Sequence, residues 1–282
     1  MIPAEFDYEV ADSVEHAIEL LGANAETRLL AGGQSLLPLM KLRLSSPMLL
    51  VDLGRVPGLS GVREEGDTLV IGALTCHEDV HRDPIVAKRC PLLAHAAGEI
   101  GDPQVRHRGT IGGSLAHADP AGDLPAALLA LDGEVVVRGR HHAEPTIAHH
   151  GERTIAARDF FVGPFTTALG RHEVLTEVRV PATDLARWSY RKFHPRSQDW
   201  AIVGVAAVAT TTAARVALMS MSPTPMRAAA VESALFEGAD AATAAARALE
   251  GTAPADDAFA SAEYRNHLAE VLVRRALEEI GS

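Results

Sequence analysis

The chain has 282 residues, a formal net charge of -11, 47% apolar residues and only 4% aromatic residues. That length holds two domains with substantial cores built from Leu, Val, Ile and Ala, and the negative charge argues against an extended nucleic-acid surface. Two cysteines, Cys76 and Cys90, exclude a disulfide-dense secreted scaffold and a four-thiolate iron–sulfur cluster.

In chain order, Asp12 and Ser13 precede "VEHAIELLG". This predicts a capped helix with Val14, Ala17, Ile18 and Leu21 on its apolar face, stopping near Gly22. "TRLLAGG" predicts a short buried strand running into a glycine turn. "LLPLMKLRL" reads as irregular or partly helical, because Pro38 does not suit a strand interior. Strands are expected from Met48 to Leu53 and in "DTLVIGALT". "CHEDVHRDPIVAKRCPLLAHAAGEI" reads as largely helical, cut by Pro84 and Pro91. The next segment, Gly101 to Leu131, is dense in Gly, Pro and Asp and reads mostly as loop with short helical pieces.

"LDGEVVVRG" and "GERTIAARDFF" are β-like and lead into a helix start at Ala157 to Phe161. "EVLTEVRVP" follows as the last strand of a domain, with a boundary near residue 177. Beyond it, "RWSYRKFHP" and "AIVGVAAVATTTAARVALMS" predict strands. "SPTPMRAAAVESALFEG" predicts a loop and a helix with Pro225 near its first turn. The remainder reads as helical, with Tyr264, Leu268, Val271, Leu272 and Ala276 at helical spacing. This order suggests α+β and not regular βαβ units.

Two segments share a pattern. "AGGQSL" spans Ala31 to Leu36, and "RGTIGGSLAHADPAGD" spans Arg108 to Asp123. In each, paired glycines precede a small polar residue. Glycine reaches φ > 0 and has no Cβ, so ligand oxygens can approach several backbone N–H groups. Ser35, Thr110 and Ser114 add hydroxyl donors. Such a set suits a diphosphate better than a metal, which needs acceptors. The alternative is that each Gly-Gly is a turn or bulge. Neither segment fits the dinucleotide fingerprint or the phosphate-binding P-loop.

The other polar residues point to less. The pairs His141-His142 and His149-His150 have no cysteine partner and no HExxH arrangement, so solvated loop histidines are the reading and no metal site is expected. Cys76 and Cys90 read as buried thiols. No GxSxG nucleophile elbow occurs, and no catalytic residue is assigned. "MIPAEFDYEV" has no basic segment followed by an apolar run, and no unbroken apolar run is long enough for a membrane span. A cytoplasmic protein is expected.

Together, "AGGQSLLPLMKLRL" and "IGDPQVRHRGTIGGSLAHADPAGDLPAALLALDGEV" resemble the FAD-binding medium subunit of molybdenum hydroxylases. That family includes the carbon monoxide dehydrogenase medium subunit and the flavin domain of xanthine dehydrogenases. "LVIGALTCHEDV", "YRKFHPRSQDWAIVGVAAV" and "SPTPMRAAAVESALFEG" extend the resemblance over nearly the whole chain. It implies an α+β fold of the vanillyl-alcohol-oxidase (PCMH) type. The FAD-binding domain would occupy residues 1–176, with subdomains of about 1–55 and 56–176, and a small C-terminal α+β domain would occupy 177–282.

By the same resemblance, Ala31, Gly32, Gly33, Gln34, Ser35 and Leu36 line one side of the FAD diphosphate, and Thr110, Gly112, Gly113 and Ser114 the other. Asp123 matches a position that accepts from the ribose. Asp119 does the same or caps the segment after Pro120. Thr75 contacts the flavin or caps "CHEDV". Lys192 and Tyr190 lie near the flavin, where a cation stabilises an anionic reduced ring, or else are solvated or salt-bridged. "FHPRSQDW" departs from the family pattern, which leaves Arg196 without a role. His107 and His117 flank the second glycine segment, and one of them is a candidate to face the flavin or a partner.

The implied function is electron transfer. Substrate is oxidised at a molybdenum–pterin centre in a large subunit, iron–sulfur clusters of a small subunit carry the electrons, and FAD here passes them to an external acceptor. The expected assembly is a dimer of heterotrimers. The alternatives are a stand-alone flavin reductase or oxidase on the same fold, and a scaffold subunit without cofactor.

Overall fold

The computed structural model describes residues 2–141, 149–182, 187–210 and 213–281. His142 and the side chains of His141, His149 and His150 lie outside the described residues.

The first unit comprises β1 (Asp7–Val10), α1 (Val14–Ala23), β2 (Thr27–Leu30), α2 (Leu36–Lys41) and β3 (Leu49–Asp52). The sheet order is β1-β3-β2, all parallel. Ser13 caps α1 by accepting from the His16 N–H at 3.1 Å. Val14, Ala17, Ile18 and Leu21 are buried against Val51 and Leu53. Gly22 lies inside α1, which ends one residue later with Asn24 as its cap.

The second unit opens with the hairpin β4 (Val62–Glu65) and β5 (Thr68–Gly72). Six short helices follow: α3 (His77–Arg82), α4 (Pro84–Arg89), α5 (Pro91–Gly98), α6 (Pro103–Arg106), α7 (Ile111–His117) and α8 (Asp123–Ala130). Then come β6 (Glu134–His141), β7 (His149–Ala156), α9 (Ala157–Phe160), the small ribbon β8 (Phe161–Gly163) and β9 (Thr166–Thr167), and β10 (Glu173–Pro181). The antiparallel sheet runs β4-β5-β10-β6-β7. Its core gathers Leu69, Ile71, Val135, Val137 and Val178 with the buried faces of α5 and α8. Pro84 and Pro91 occupy the first turns of α4 and α5, where a missing N–H costs nothing.

The third unit comprises β11 (Arg187–Phe193), β12 (Val203–Ala209), β13 (Ala214–Met219) and β14 (Met226–Arg227), then α10 (Ala229–Phe236), α11 (Ala241–Ala245) and α12 (Ala262–Gly281). The four strands are antiparallel in the order β11-β12-β13-β14. Alternate residues face opposite ways. Tyr190, Ala206, Val208, Ala217 and Met219 join the core of the second unit. Val203, Val205, Ala207, Val216 and Leu218 pack under the C-terminal helices. The sheet is thus sandwiched, and this explains the uninterrupted apolar run of β12.

Several expectations shift. The segment around Gly112 and Gly113 is helical, not loop, because Thr110 caps α7. The strand β4 had no apolar alternation to announce it: three of its four residues are exposed. Residue 177 falls inside β10, whose pairing with β5 runs on to Pro181. Pro225 precedes β14, not the first turn of α10. On α12 the buried face is Leu268, Ala269, Leu272, Val273, Ala276, Leu277 and Ile280, while Tyr264 is 43% exposed.

Candidate functional site

The first glycine segment links β2 to α2. Gly33 has φ +74°, a conformation that glycine adopts without strain, and its carbonyl accepts from the Leu37 N–H at 3.0 Å. The N–H groups of Gly32, Gly33, Gln34, Ser35 and Leu36 have no acceptor among the described residues. Ser35 makes no side-chain cap bond to α2. These five consecutive donors lie at the surface on half-buried or exposed residues.

The second segment is bonded differently. Ile111 N–H donates to Thr75 O at 3.0 Å and Gly112 N–H to Ala73 O at 2.8 Å. Gly113 N–H donates to Thr110 Oγ1 at 3.2 Å, and Ser114 N–H to Thr110 O at 2.9 Å. The first turn of α7 is therefore strapped to the chain that leaves β5. A Cβ on Gly112 would lie 2.6 Å from Ala73 Cβ and 2.7 Å from Ala73 O, so this glycine is needed for packing.

The two segments touch. A Cβ on Gly32 would lie 2.1 Å from Arg108 O, and one on Gly113 would lie 3.8 Å from Ala31 Cβ. The structure thus brings together Ala31, Gly32, Gly33, Thr110 and Gly113. Thr75 lies behind them, 3% exposed. Its hydroxyl reaches Gly72 O at 2.7 Å and accepts from Gly61 N–H at 3.0 Å. It does not cap α3, whose cap residue is Cys76.

Asp123, Tyr190 and Lys192 form a separate buried cluster. Tyr190 and Lys192 are two apart on β11 and face the same way. The Tyr190 hydroxyl donates to Asp123. Lys192 Nζ lies 2.9 Å from Asp123 Oδ1 and also donates to Glu99 O at 2.9 Å. Burial pushes the Asp123 carboxyl above its usual range, against the pull of Lys192 and Tyr190. Burial, then the neighbouring carboxylate, pushes the Tyr190 phenol well up. The carboxylate expected to meet a ribose is thus held by the lysine expected at the flavin edge. Asp119 Oδ1 accepts from Ala121 N–H at 2.9 Å and closes the turn at Pro120 and Ala121, while α8 starts later with Gly122 as its cap residue.

Behind the second segment, Glu78 is 4% exposed and binds Arg106 at 2.8 Å and also Arg82. The two guanidinium groups pull its carboxyl down to about 2. His77 donates its backbone N–H to Gly109 O at 2.9 Å. Burial, then Arg106, pushes its imidazole down to about 4, and Nδ1 has no partner among the described residues. No sequence signal marks this cluster, because its members come from three helix termini.

A cavity of about 600 Å³ opens between the second and third units. Its walls include Asp119, Phe165, Arg196, Trp200, Phe259 and Arg265. His117, at the end of α7, stacks at a tilt on Phe165 with ring centroids 5.2 Å apart, and burial lowers its pKa. Arg196 is exposed and paired with Asp199 at 3.1 Å. His107 closes α6, its N–H donating to Pro103 O at 3.0 Å.

Comparison with known proteins divides the chain between the second and third units. Residues 4–183 match the FAD binding domain in molybdopterin dehydrogenase, and residues 188–280 match the CO dehydrogenase flavoprotein C-terminal domain. The carbon monoxide dehydrogenase medium chain of Hydrogenophaga pseudoflava is 42% identical over 98% of this chain and 97% of its own length. The nicotine 6-hydroxylase medium subunit of Paenarthrobacter nicotinovorans is 37% identical over 98% and 97%. A solved structure of carbon monoxide dehydrogenase from Hydrogenophaga pseudoflava, lacking the Mo-pyranopterin moiety, superimposes with a TM-score of 0.92. It covers 100% of this chain and 99% of that one. The fold is the α+β PCMH-type FAD-binding fold, and the chain belongs to the family of FAD-binding medium subunits of carbon monoxide dehydrogenase- and xanthine dehydrogenase-like molybdenum hydroxylases.

Proposed function

We propose that the chain is the FAD-carrying electron-transfer subunit of a molybdenum hydroxylase complex. It takes electrons from the iron–sulfur clusters of a small partner subunit and passes them to an external acceptor. Substrate oxidation belongs to a large molybdenum-binding subunit, and the assembly is a dimer of heterotrimers in the cytoplasm. The relatives named as medium chains of multi-subunit enzymes support this reading.

The single observation that carries the cofactor assignment is the row of five N–H groups from Gly32 to Leu36 that have no acceptor among the described residues. A diphosphate is the ligand whose oxygens satisfy such a row, and a Cβ on Gly32 has no room there. The Ser35 hydroxyl supplies a further donor. Ala31, Gln34 and Leu36 carry the same strip of backbone. Thr110, Gly112, Gly113 and Ser114 form the wall on which that strip rests. FAD would supply the conversion of single electrons into pairs. Asp123, Lys192 and Tyr190 hold β11 against α8, and Thr75 holds the chain leaving β5; these residues fix the walls.

The purified chain is expected to retain FAD at one equivalent after reconstitution and gel filtration, read from flavin absorbance against protein concentration. Flavin that elutes entirely free would remove the assignment. Purification from native extract is expected to bring an iron–sulfur subunit and a molybdenum subunit along. A chain that turns over a small-molecule substrate alone would favour a free-standing flavin enzyme.

A further inference from the structure

We propose that Arg106 is a positioning residue for the FAD diphosphate: it touches no part of the cofactor and sets where Arg108 and Gly109 stand behind the donor row at Gly32 to Leu36. This deepens the cofactor reading above and rests on it. A donor row holds a diphosphate tightly only if the chain behind it is itself held in place.

The Arg106 guanidinium gathers groups from three places. Its Nε donates to Glu78 Oε2 at 2.8 Å on α3. Its Nη1 reaches Gly98 O and Ile100 O at 3.2 Å and Gly101 O at 3.4 Å. The carbonyl in between, Glu99 O, accepts from Lys192 Nζ at 2.9 Å. The consecutive carbonyls from Gly98 to Gly101 are thus held by two cations, at the C-terminal end of α5 where the helix dipole favours positive charge. The Arg106 side chain is 18% exposed and that of Glu78 only 5%. None of these partners belongs to either glycine segment, so Arg106 acts on the cradle through the backbone.

The path runs along α6. This helix has 4 residues, too few to be stable alone, and none of them is buried. Asp102 caps its start, Oδ1 accepting from Val105 N–H at 2.9 Å, and Arg106 closes it. The chain then turns at once: Arg108 N–H and Gly109 N–H both donate to Val105 O, at 3.1 Å and 2.7 Å. The place of Arg108 O therefore follows from the place of α6. Gly32 packs directly on that carbonyl, since a Cβ on Gly32 would lie 2.1 Å from it and 2.7 Å from Gly109 Cα. Gly109 has no room to retreat, because a Cβ there would lie 2.8 Å from the His77 ring. Close-packed backbone passes a displacement on instead of absorbing it. A shift of α6 thus reaches Gly32, the first donor of the row.

The test titrates FAD into the full chain and three variants, with thermal melting alongside. Arg106→Met removes the guanidinium. Arg106→Lys keeps a charge for Glu78 but lacks the fork that serves a carboxylate and carbonyls together. Arg82→Met removes the other cation on Glu78, on a side chain that is 76% exposed, and leaves the carbonyls held. Both Arg106 variants are expected to weaken FAD at least about tenfold, and Arg82→Met to bind as the parent does. Unchanged FAD affinity in both Arg106 variants overturns the proposal, as does equal weakening in Arg82→Met or full affinity in Arg106→Lys. Loss of the folded state in both Arg106 variants also overturns it, since the role would then be stability alone. A parent chain that takes up no FAD removes the flavin reading, and amide hydrogen exchange then decides the positioning. Faster exchange at Arg108 and Gly109 in Arg106→Met than in Arg82→Met upholds the placing of that wall; equal exchange overturns it.

Discussion

The two glycine segments look alike in sequence and are put to opposite uses. From Gly32 to Leu36 the N–H groups have no acceptor among the described residues, and Gly33 adopts a positive φ. From Ile111 to Ser114 every N–H is bonded within the protein, and Gly112 is present because Ala73 lies where its Cβ would be. One segment is open to a ligand and the other is a wall behind it. Paired glycines before a serine therefore mark a place where backbone must come close to something, without saying whether that something is a ligand or another part of the chain.

The contrast can be broken hardest at the far end of the second segment. Lys192→Met would leave the Asp123 carboxylate buried without its cation, and such removals cost about 3–5 kcal/mol. Urea unfolding is expected to report that loss, and a change below about 1 kcal/mol would mean that the cluster is open to water. Gly112→Val comes next. Its side chain would meet Ala73 at 2.6 Å, so a loss of about 3 kcal/mol is expected from overpacking, read as a lowered melting temperature.

Acid should loosen the second segment selectively. His77 packs against Gly109, and its pKa is pushed down from 6.5 to about 4. A depressed pKa means that the unfolded chain binds the proton first. The contribution is therefore complete above pH 6.5 and is lost as pH falls to about 4. The expected size is on the order of 2 kcal/mol, reduced from the full shift by local relaxation. Glu78 follows the same sign at lower pH, from 4.5 to about 2. Unfolding free energies across this range should flatten between pH 6.5 and 4 in His77→Phe; a slope like the parent's would clear His77 of the effect.

The smallest effect tests the first segment alone. Ser35→Glu places a carboxylate among the free N–H groups at a half-buried position without disturbing a core. FAD affinity is expected to fall at least tenfold, about 1.4 kcal/mol, while stability stays within about 0.5 kcal/mol of the parent. Flavin titration and thermal melting measure the two quantities separately. Equal flavin affinity would show that the donor row is not the diphosphate cradle.

Local patterns carried much of the fold. Ser13 and the apolar face of α1, the prolines that open α4 and α5, and the alternation hidden in the β11 to β13 run are read from neighbouring residues. What stayed hidden involves partners far apart in sequence. The strand β4 has too little apolar character to show, and its pairing with β5 makes it a strand. The helix α7 read as loop because Gly112 and Gly113 lower helix propensity, yet the Thr110 cap and the strapping to Ala73 and Thr75 hold it.

The candidate site divides in the same way. The resemblance carried by the two glycine segments named the flavin family, and the run around Tyr190 and Lys192 read as a strand from its own residues. The packing of distant segments settles which glycine segment keeps N–H groups without an acceptor among the described residues, that Asp123 pairs with Lys192 and not with solvent, and that Phe165, Trp200 and Phe259 share one cavity. The reason is physical. A backbone donor is free or engaged according to what chain lies opposite, and a carboxylate is charged or pushed up according to what excludes water from it. Both depend on neighbours that the order of residues does not place side by side.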